Sequence, residues 1–445
     1  MEIVFIVISI VIILVSRKVY KKIINPCSIY ALIWIIDVLL YCMNGFQYEE
    51  LSIKTLIVMC LFEISLCTGI MIGEKYSFKW GKGKHTTSLS IDYEAVGAQI
   101  IIDKFIIISL LISSVSIISA LISILSTYGI SNILLFINNV SQIYQGRATG
   151  EINYGIAIFS SMIYVTLILV SFQITRGRFK IFYIIPVFMS FINAVNYGGR
   201  NAAFYTIICI AMPFILGKYR QNVVISDLNN HARNKRVKRK TISVICIFIL
   251  LAIGIFTMIN SQRAQTSRAF YHRNASTVGW LDNLIELDTG FLTLYLYSTG
   301  PLSYLNHYLE NPFYSFGANT FYPIYRQLDK LGFDVQQMIA LDFGTQSVNV
   351  GTYITELIID FGLIGGLLFI FLFGVCFGNF HRRTIRNDLK ACLFTTLLYI
   401  CILLSFFMWY LRTPVIWLAG LYGAIIISML NKLLIKKGYI LHVAG

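Results

Sequence analysis

Long apolar runs recur along the whole 445-residue chain, and they limit the folds open to it more than any other feature. Each run has about 15 to 20 residues, the length that a helix needs to cross roughly 30 Å of hydrocarbon. Only 13% of the residues are charged, roughly half of what soluble domains carry. We therefore predict an all-α, polytopic membrane protein.

The apolar runs predict about eleven membrane-spanning helices. Their approximate ranges are 2–16, 28–44, 54–73, 101–126, 154–174, 179–196, 202–217, 241–259, 361–380, 391–410 and 414–431. The first run is interpreted as a retained helix with its N-terminus outside, because its basic residues, "RKVYKK", follow the apolar core instead of preceding it.

Three parts follow from this arrangement. Residues 1–259 form an N-terminal transmembrane bundle of about eight spans with a basic cytoplasmic loop at 218–240. Residues 260–360 form one large external loop domain of helical or re-entrant segments, and residues 361–445 form a C-terminal transmembrane bundle of about three spans.

The distribution of basic residues gives the orientation. All but nine of the 36 Lys and Arg lie in segments that this topology places in the cytoplasm, with the C-terminus, as the positive-inside rule requires. The net charge of +15 is then explained by topology and by anionic lipid. We predict no nucleic-acid partner.

The nine external basic residues are mostly arginine, whereas lysine prevails inside. Arginine binds phosphate and carboxylate groups with two parallel hydrogen bonds, which lysine does not do. The enrichment predicts an anionic ligand on the outer face. The external arginines are Arg147, Arg200, Arg263, Arg268, Arg273, Arg326 and Arg412.

The stretch "VNYGGRNAAF" at 195–204 is predicted to be a tight outward turn between spans six and seven. Two glycines permit close backbone approach, and Arg200 then projects at the level of the lipid headgroups beside Asn201. We predict a phosphate contact here. The alternative is an arginine at a helix end that extends its charge to the interface.

The external segment is too polar to span a membrane and too apolar for a solvated loop. Gly300-Pro301 is predicted to split it into paired surface helices or a re-entrant hairpin. It is rich in aromatic residues, Tyr322 among them, which could form an interfacial belt or stack on sugars. Asn319 and Tyr322 are candidate substrate-binding residues.

Four external side chains are candidates for proton transfer. Glu356 and Asp360 are four residues apart and so share a helix face. They could pair with external arginines or take part in acid–base chemistry. His272 and His307 are structural or catalytic alternatives. Within predicted spans, Asp37 and Glu63 are helix-pairing contacts or proton sites.

The chain lacks the motifs that hold nucleotides or catalytic metals. It has no Walker loop, no HExxH and no external pair of acidic residues of the DxD type. Its nine cysteines lie in or beside apolar segments, without CxxC. We predict no metal and no cofactor, and a substrate that is already activated, such as a lipid-linked pyrophosphate.

Four motifs carry a resemblance to a known family: "GGRNA" after an apolar span, "STGPLSYLNHYL", "FGANTFYPIYRQL", and "VGTYITELIIDFG" before a late span. Within residues 195–380 the chain resembles the Wzy-type O-antigen and capsular oligosaccharide repeat unit polymerases. Arg268 and Gly279 also match the family signature of an arginine, ten residues and a glycine.

The resemblance implies polymerisation of undecaprenyl-pyrophosphate-linked repeat units on the outer face of a bacterial cytoplasmic membrane, by metal-independent glycosyl transfer. Implied partners are the lipid-linked oligosaccharide, membrane lipid, a chain-length regulator and a flippase. The pyrophosphate-binding candidates are Arg200, Asn201, Arg263, Arg268, Arg273 and Arg326. The base candidates are His272, His307, Glu356 and Asp360, and the substrate-binding candidates are Arg147, Asn319, Tyr322 and Arg412.

Other functions stay open at this point. An O-antigen-type ligase, which moves finished glycan to a different acceptor, would share the arginines and the external segment. A lipid-linked oligosaccharide flippase or other transporter would show internal repeats and charges in mid-membrane. A scaffold without chemistry would leave the external arginines unexplained.

Overall fold

A computed structural model describes residues 2–46, 48–76, 90–128, 143, 157–197, 200–224, 289–333 and 351–441. The structure is all-α. Its helices are α1 Glu2–Tyr20, α2 Pro26–Cys42, α3 Ile53–Lys75, α4 Val96–Tyr128, α5 Met162–Ile174, α6 Ile184–Tyr197, α7 Arg200–Val224, α8 Thr289–Tyr308, α9 Tyr322–Lys330, α10 Tyr353–Ile385, α11 Leu389–Leu403 and α12 Pro414–Lys436. Short 3-10 turns occur at Ala157–Ser161, Ile181–Tyr183 and Tyr410–Arg412. Strand β1, Ser90–Ile91, pairs antiparallel with β2, Ile440–Leu441.

Five of these helices, α1, α3, α4, α10 and α12, are long and apolar enough to cross a membrane. Five shorter apolar helices lie in α2, α5, α6, α7 and α11 or at their ends. The predicted span 241–259 lies outside the described residues, so the count of eleven stays a prediction. The division into 1–259, 260–360 and 361–445 also stays a prediction, since it concerns the membrane sides.

The chain forms two compact units, and each is built from separate stretches of sequence. The first contains α1, α2, α3, α8, α9, most of α10 and the segment from Ile400 to Trp417. The second contains α4 to α7, α11 up to Tyr399 and α12 from Leu418.

Glycines bring α3 and α10 into close contact in the first unit. A methyl group added at Gly69 would lie 2.3 Å from the Phe371 carbonyl oxygen, and one added at Gly73 would lie 2.1 Å from that of Val375. Gly374 and Gly378 meet α3 in the same way. Small residues four apart let membrane helices approach at backbone distance.

The order of these contacts shows that α3 and α10 run parallel. Beyond the glycines, His381 Nδ1 lies 2.9 Å from Glu74 Oε2, and Arg382 Nη1 donates to the Lys75 carbonyl at 2.9 Å. The sequence assigns both helix ends to the cytoplasm. The predicted alternation of cytoplasmic and external loops places these two helix ends together, as the contact shows. Which side of the membrane they face remains a prediction.

Helix α8 corrects one prediction. It runs without a break through Gly300 and Pro301 from Thr289 to Tyr308, so the predicted split is wrong. Proline removes one helical hydrogen bond, but this helix is fixed by side-chain bonds to the segment after α2. The Tyr295 hydroxyl accepts from the Gly45 amide at 2.8 Å, and Asn306 Oδ1 accepts from the Ser52 amide at 2.8 Å.

Helix α11 ends earlier than the predicted span 391–410, at Leu403. Other helices engage the residues that follow. The Ser405 carbonyl accepts from the Tyr353 amide at 3.0 Å, and the Ser405 hydroxyl accepts from the Trp34 indole at 2.9 Å. These contacts require an irregular backbone, which leads into the 3-10 turn at Tyr410–Arg412.

The second unit is held at one end by a buried carboxylate. Asp103 of α4 lies 2.8 Å from Arg178 Nη2 and 2.7 Å from Lys180 Nζ. It also accepts from the Tyr183 hydroxyl at 2.6 Å. The predicted cytoplasmic segment after α5 is thereby fixed to the start of α4.

Candidate functional site

The candidate site lies in the first unit, on the short helical segment that precedes Gly362. The backbone at Gly362 is left-handed and extended, with φ 69° and ψ 176°, and it interrupts α10. Glycine is the residue that adopts this conformation without steric cost. The break separates a segment that carries Glu356 and Asp360 from the apolar remainder of α10.

Glu356 forms a buried ion pair with Arg412. Arg412 Nη1 lies 2.8 Å from Glu356 Oε1, and the exposed fractions of the two side chains are 11% and 0%. The 3-10 turn Tyr410–Arg412, which follows the early end of α11, delivers the guanidinium. Glu356 Oε2 has no hydrogen-bond partner within the described part of the chain. That oxygen is buried as well, so the pair leaves one unsatisfied carboxylate oxygen in the protein interior.

The charges of this pair affect the pKa of Tyr304 on α8. Burial raises the pKa of the Tyr304 phenol, the Glu356 carboxylate raises it further, and the Arg412 guanidinium lowers it. Both charged groups are thus close enough to Tyr304 to influence its ionisation. The phenol remains protonated and can donate a hydrogen bond.

Asp360 clamps the loop between α8 and α9. Its Oδ1 accepts from the Ser315 hydroxyl at 2.5 Å and from the backbone and side-chain amides of Asn319, both at 3.0 Å. Its Oδ2 accepts from the Thr320 amide at 2.6 Å. Both carboxylate oxygens are therefore occupied by donors of one loop, and the side chain acts as an anchor.

The clamped loop displays an aromatic ring. Phe316 has a φ of 50°, which is unusual for a bulky residue, and its side chain is 80% exposed. Backbone strain of this kind persists only where the surrounding structure holds it. Here Asp360 holds it through Ser315 and Asn319, on either side of Phe316.

An apolar groove of about 670 Å³ begins at this loop and continues along α10. Tyr314 and Phe316 form its rim, and Asp360 lies at its polar end. The walls are apolar apart from the backbone. Phe361 lies just before Gly362, and Gly365, Leu368, Phe369 and Leu372 lie beyond it.

The structure brings four of the predicted site residues together. Glu356 and Arg412 form one pair, Asp360 and Asn319 form another, and Glu356 and Asp360 lie one helical turn apart on the same segment. Of the two roles predicted for these carboxylates, Glu356 has the first, because it pairs with an arginine that was predicted to be external. Acid–base chemistry stays a prediction for both.

The other described candidates are not members of these two pairs. His307 is exposed near the end of α8, Tyr322 is half-buried at the start of α9, and Arg326 is exposed on α9. Asn201 is half-buried in the first turn of α7, which belongs to the second unit. Within the described part of the chain, His307, Tyr322 and Arg326 do not hydrogen-bond to Glu356 or Asp360.

Several candidates lie partly or wholly outside the described residues. Arg200 begins α7, and only two residues separate it from Tyr197 at the end of α6, which agrees with the predicted tight connection. Its side chain lies outside the described part of the structure. The remaining candidates fall wholly outside the described residues: Arg147, Arg263, Arg268, His272 and Arg273.

Sequence reasoning missed the groups that complete the site. Ser315 and Thr320 bond to Asp360, and Phe316 and Tyr314 form the groove rim. The run "YSFGANT" offered one signal, because small polar residues around a glycine favour a tight loop with free donors. Nothing in the run identified Asp360 as their partner.

Metal binding and similarity to known proteins add no further assignment. Within the described ranges, no three His, Cys, Asp or Glu side chains cluster closely enough to hold a metal ion. No protein-family model, curated protein or solved structure matches the chain.

Proposed function

We propose that the protein polymerises lipid-linked oligosaccharide repeat units into surface polysaccharide on the outer face of a bacterial cytoplasmic membrane. The donor in this proposal is an undecaprenyl-pyrophosphate-linked glycan, and the transfer needs no metal. The observation that carries the proposal is the buried Glu356–Arg412 pair, one helical turn from an apolar groove with an aromatic rim.

The residue types at the site suit each part of such a substrate. Exposed aromatic rings, here Tyr314 and Phe316, offer flat apolar surfaces to the faces of sugar rings. The guanidinium of Arg412 suits a pyrophosphate, because it offers several donors in one plane. The apolar groove suits the lipid-bound end of the substrate.

Glu356 and Arg412 together provide a route for the reaction. The acceptor hydroxyl oxygen bonds to the anomeric carbon while the bond from that carbon to the pyrophosphate oxygen breaks. Glu356 Oε2 is buried and lacks a partner among the described residues, so in this proposal the site opens to admit the acceptor and Oε2 then accepts the hydroxyl proton. Neutralising Glu356 frees the charge of Arg412 to stabilise the negative leaving group.

The test is a polymerisation assay. Purified protein is given a polyprenyl-pyrophosphate-linked repeat unit in detergent with EDTA, and the products are resolved on a gel. We expect a ladder of multiples. Folded protein that yields no ladder from its native repeat unit would contradict the proposal and favour the ligase or the transporter.

Two variants connect the ladder to the site. Glu356→Gln keeps the shape but removes the proton acceptor, and we expect a rate loss of about 10²–10³-fold. Arg382→Lys is the matched control, because this arginine contacts the Lys75 carbonyl at the other end of α10. We expect it to retain the parent rate.

One observation favours a transporter as the second candidate. Asp37 is buried within α2, and neither of its carboxyl oxygens has a partner in the described part of the chain. Glu63, also buried, accepts from the Ser9 hydroxyl at 2.8 Å, which fits the helix-pairing alternative. Intramembrane carboxylates often serve proton-coupled transport, so flipping of the lipid-linked unit in vesicles is the corresponding assay.

A further inference from the structure

We infer that the groove along α10 holds the prenyl chain of the lipid-linked substrate, with the chain entering at the Gly362 break. The inference rests on the proposed function and adds to it the position and direction of the lipid. It is carried by the shape, composition and place of the groove.

The groove follows one face of α10. Beyond the Gly362 break, Gly365, Leu368, Phe369 and Leu372 recur at helical spacing, so they form a continuous stripe, and Phe361 lies immediately before the break. From Gly365 to Leu372 the helix rises by about 10 Å. That distance is roughly a third of a hydrocarbon core of about 30 Å, so the groove extends through much of one leaflet.

The groove is concave and open sideways, unlike an ordinary lipid-facing helix surface. Gly365 lets Phe361 pack directly against α10, because a methyl group at this position would lie only 2.9 Å from the Phe361 Cβ. The rings of Phe361 and Phe369 stack with centroids 5.0 Å apart. Leu368 and Leu372 remain more than half exposed. A hydrocarbon chain can enter from the bilayer and pack against these rings.

The polar end gives the chain its direction. Asp360 closes the groove at the clamped loop, and the Glu356–Arg412 pair lies one helical turn further, about 6 Å along the axis. A lipid that reacts at Glu356 must lead its chain away along α10. The strained and exposed Phe316 stands at that junction, which indicates that the loop is built to contact a ligand.

Photo-crosslinking tests this assignment without requiring enzyme activity. The probe is a polyprenyl monophosphate with a diazirine on an isoprene unit near the phosphate, added to the purified full-length protein in nanodiscs. Peptide mapping is expected to place cross-links on residues 361–372. Cross-links spread evenly over the lipid-exposed helices would overturn the inference.

Two groove variants and one control sharpen the test. Leu368→Trp and Leu372→Trp fill the groove, and each is expected to lower the groove cross-link by about tenfold, as a loss of 1.4 kcal/mol in binding would. Ile364→Trp is the control, since Ile364 is 82% exposed on the same helix and is not among the groove-lining residues. Equal labelling of all three variants would contradict the groove assignment.

Competition identifies the occupant. Unlabelled polyprenyl phosphate is expected to suppress the groove cross-link, whereas an equal concentration of phosphatidylglycerol leaves it unchanged. Equal suppression by both lipids would make the groove an ordinary lipid site. Groove labelling without a polymer ladder would refute the polymerase proposal alone, and a ladder with unspecific labelling would refute the groove assignment alone.

Discussion

Arg412 donates from Nη1 to Glu356 Oε1 over 2.8 Å, and the acceptor side chain is completely buried. The two residues lie on different elements and are 56 positions apart. Breaking such a pair by removing one partner costs about 3–5 kcal/mol, because the other charge stays buried and unpaired. Replacing both partners by apolar residues is often neutral for stability. The pair can thus be tested for stability and for chemistry separately.

A double-mutant cycle on this pair is the first prediction. Arg412→Met alone is expected to lower the free energy of unfolding by about 3–5 kcal/mol. Adding Glu356→Leu is expected to restore most of the loss while polymerisation remains absent. Denaturation in detergent measures the first effect, and the ladder assay measures the second. Activity in the stable double variant would exclude both residues from the chemistry.

Asp360→Ala is expected to loosen the loop between α8 and α9. The change removes the acceptor for the amides of Asn319 and Thr320, and each hydrogen bond to a charged group is worth about 1.5–3 kcal/mol. Hydrogen exchange at those two amides is the measurement, and we expect it to accelerate. Thr384→Ala is the control, because its hydroxyl bonds to Thr395 elsewhere in the chain. Unchanged exchange protection of the two amides in Asp360→Ala would show that the Asp360 carboxylate does not anchor this loop.

Gly374→Ala is expected to destabilise the α3–α10 contact. The added methyl group would lie 2.5 Å from the Leu66 carbonyl oxygen, and such overpacking typically costs about 1–3 kcal/mol. Gly420→Ala is the matched control, because its new methyl group would meet only side chains at 3.7 Å. Thermal unfolding in detergent compares the two variants. Equal thermal unfolding midpoints for the two variants would contradict the close packing of α3 against α10 at Gly374.

Phe316→Asn is expected to separate stability from function. Asparagine adopts left-handed backbone more readily than phenylalanine, so the variant should be at least as stable as the parent. The exposed aromatic ring at the groove rim is lost, however, so binding of the lipid-linked substrate should weaken. Thermal unfolding and substrate titration test the two halves. Parent-like affinity would remove Phe316 from the binding surface.

Arg200→Lys tests the candidate that the sequence placed at the start of α7. Lysine keeps the charge but not the paired donors of a guanidinium, so we expect normal membrane insertion with polymerisation lost. The ladder assay at equal protein abundance is the measurement. Parent activity would remove Arg200 from the pyrophosphate site.

Periodic features of this protein were the most predictable from sequence. Apolar runs predicted the helices, and the spacing of Glu356 and Asp360 predicted their shared face, because both follow from local helical geometry. The positive-inside rule paired Lys75 with Arg382 on one side, and the two do lie together. Each of these inferences needs only residues that are close in sequence or a rule that acts on whole segments.

Long-range contacts were less predictable. Proline after glycine favours a break, but the bonds of Tyr295 and Asn306 to the segment after α2 hold α8 continuous. The bonds of Ser405 to Trp34 and Tyr353 end α11 before its apolar run ends. In both places tertiary contacts outweigh local preference. The Asp360 clamp is of the same kind, since its partners lie 40 to 45 residues away.

Because α3 and α10 run parallel, one chemical label on α3 can show which side of the membrane carries Glu356. Both helices begin at the end of the first unit that carries Glu356, and both finish where Glu74 meets His381. A membrane-impermeant reagent that reaches a cysteine placed at Lys54 would assign Glu356 to the same compartment. For the proposed polymerase, the side of the membrane on which the product forms would then follow from a single chemical modification.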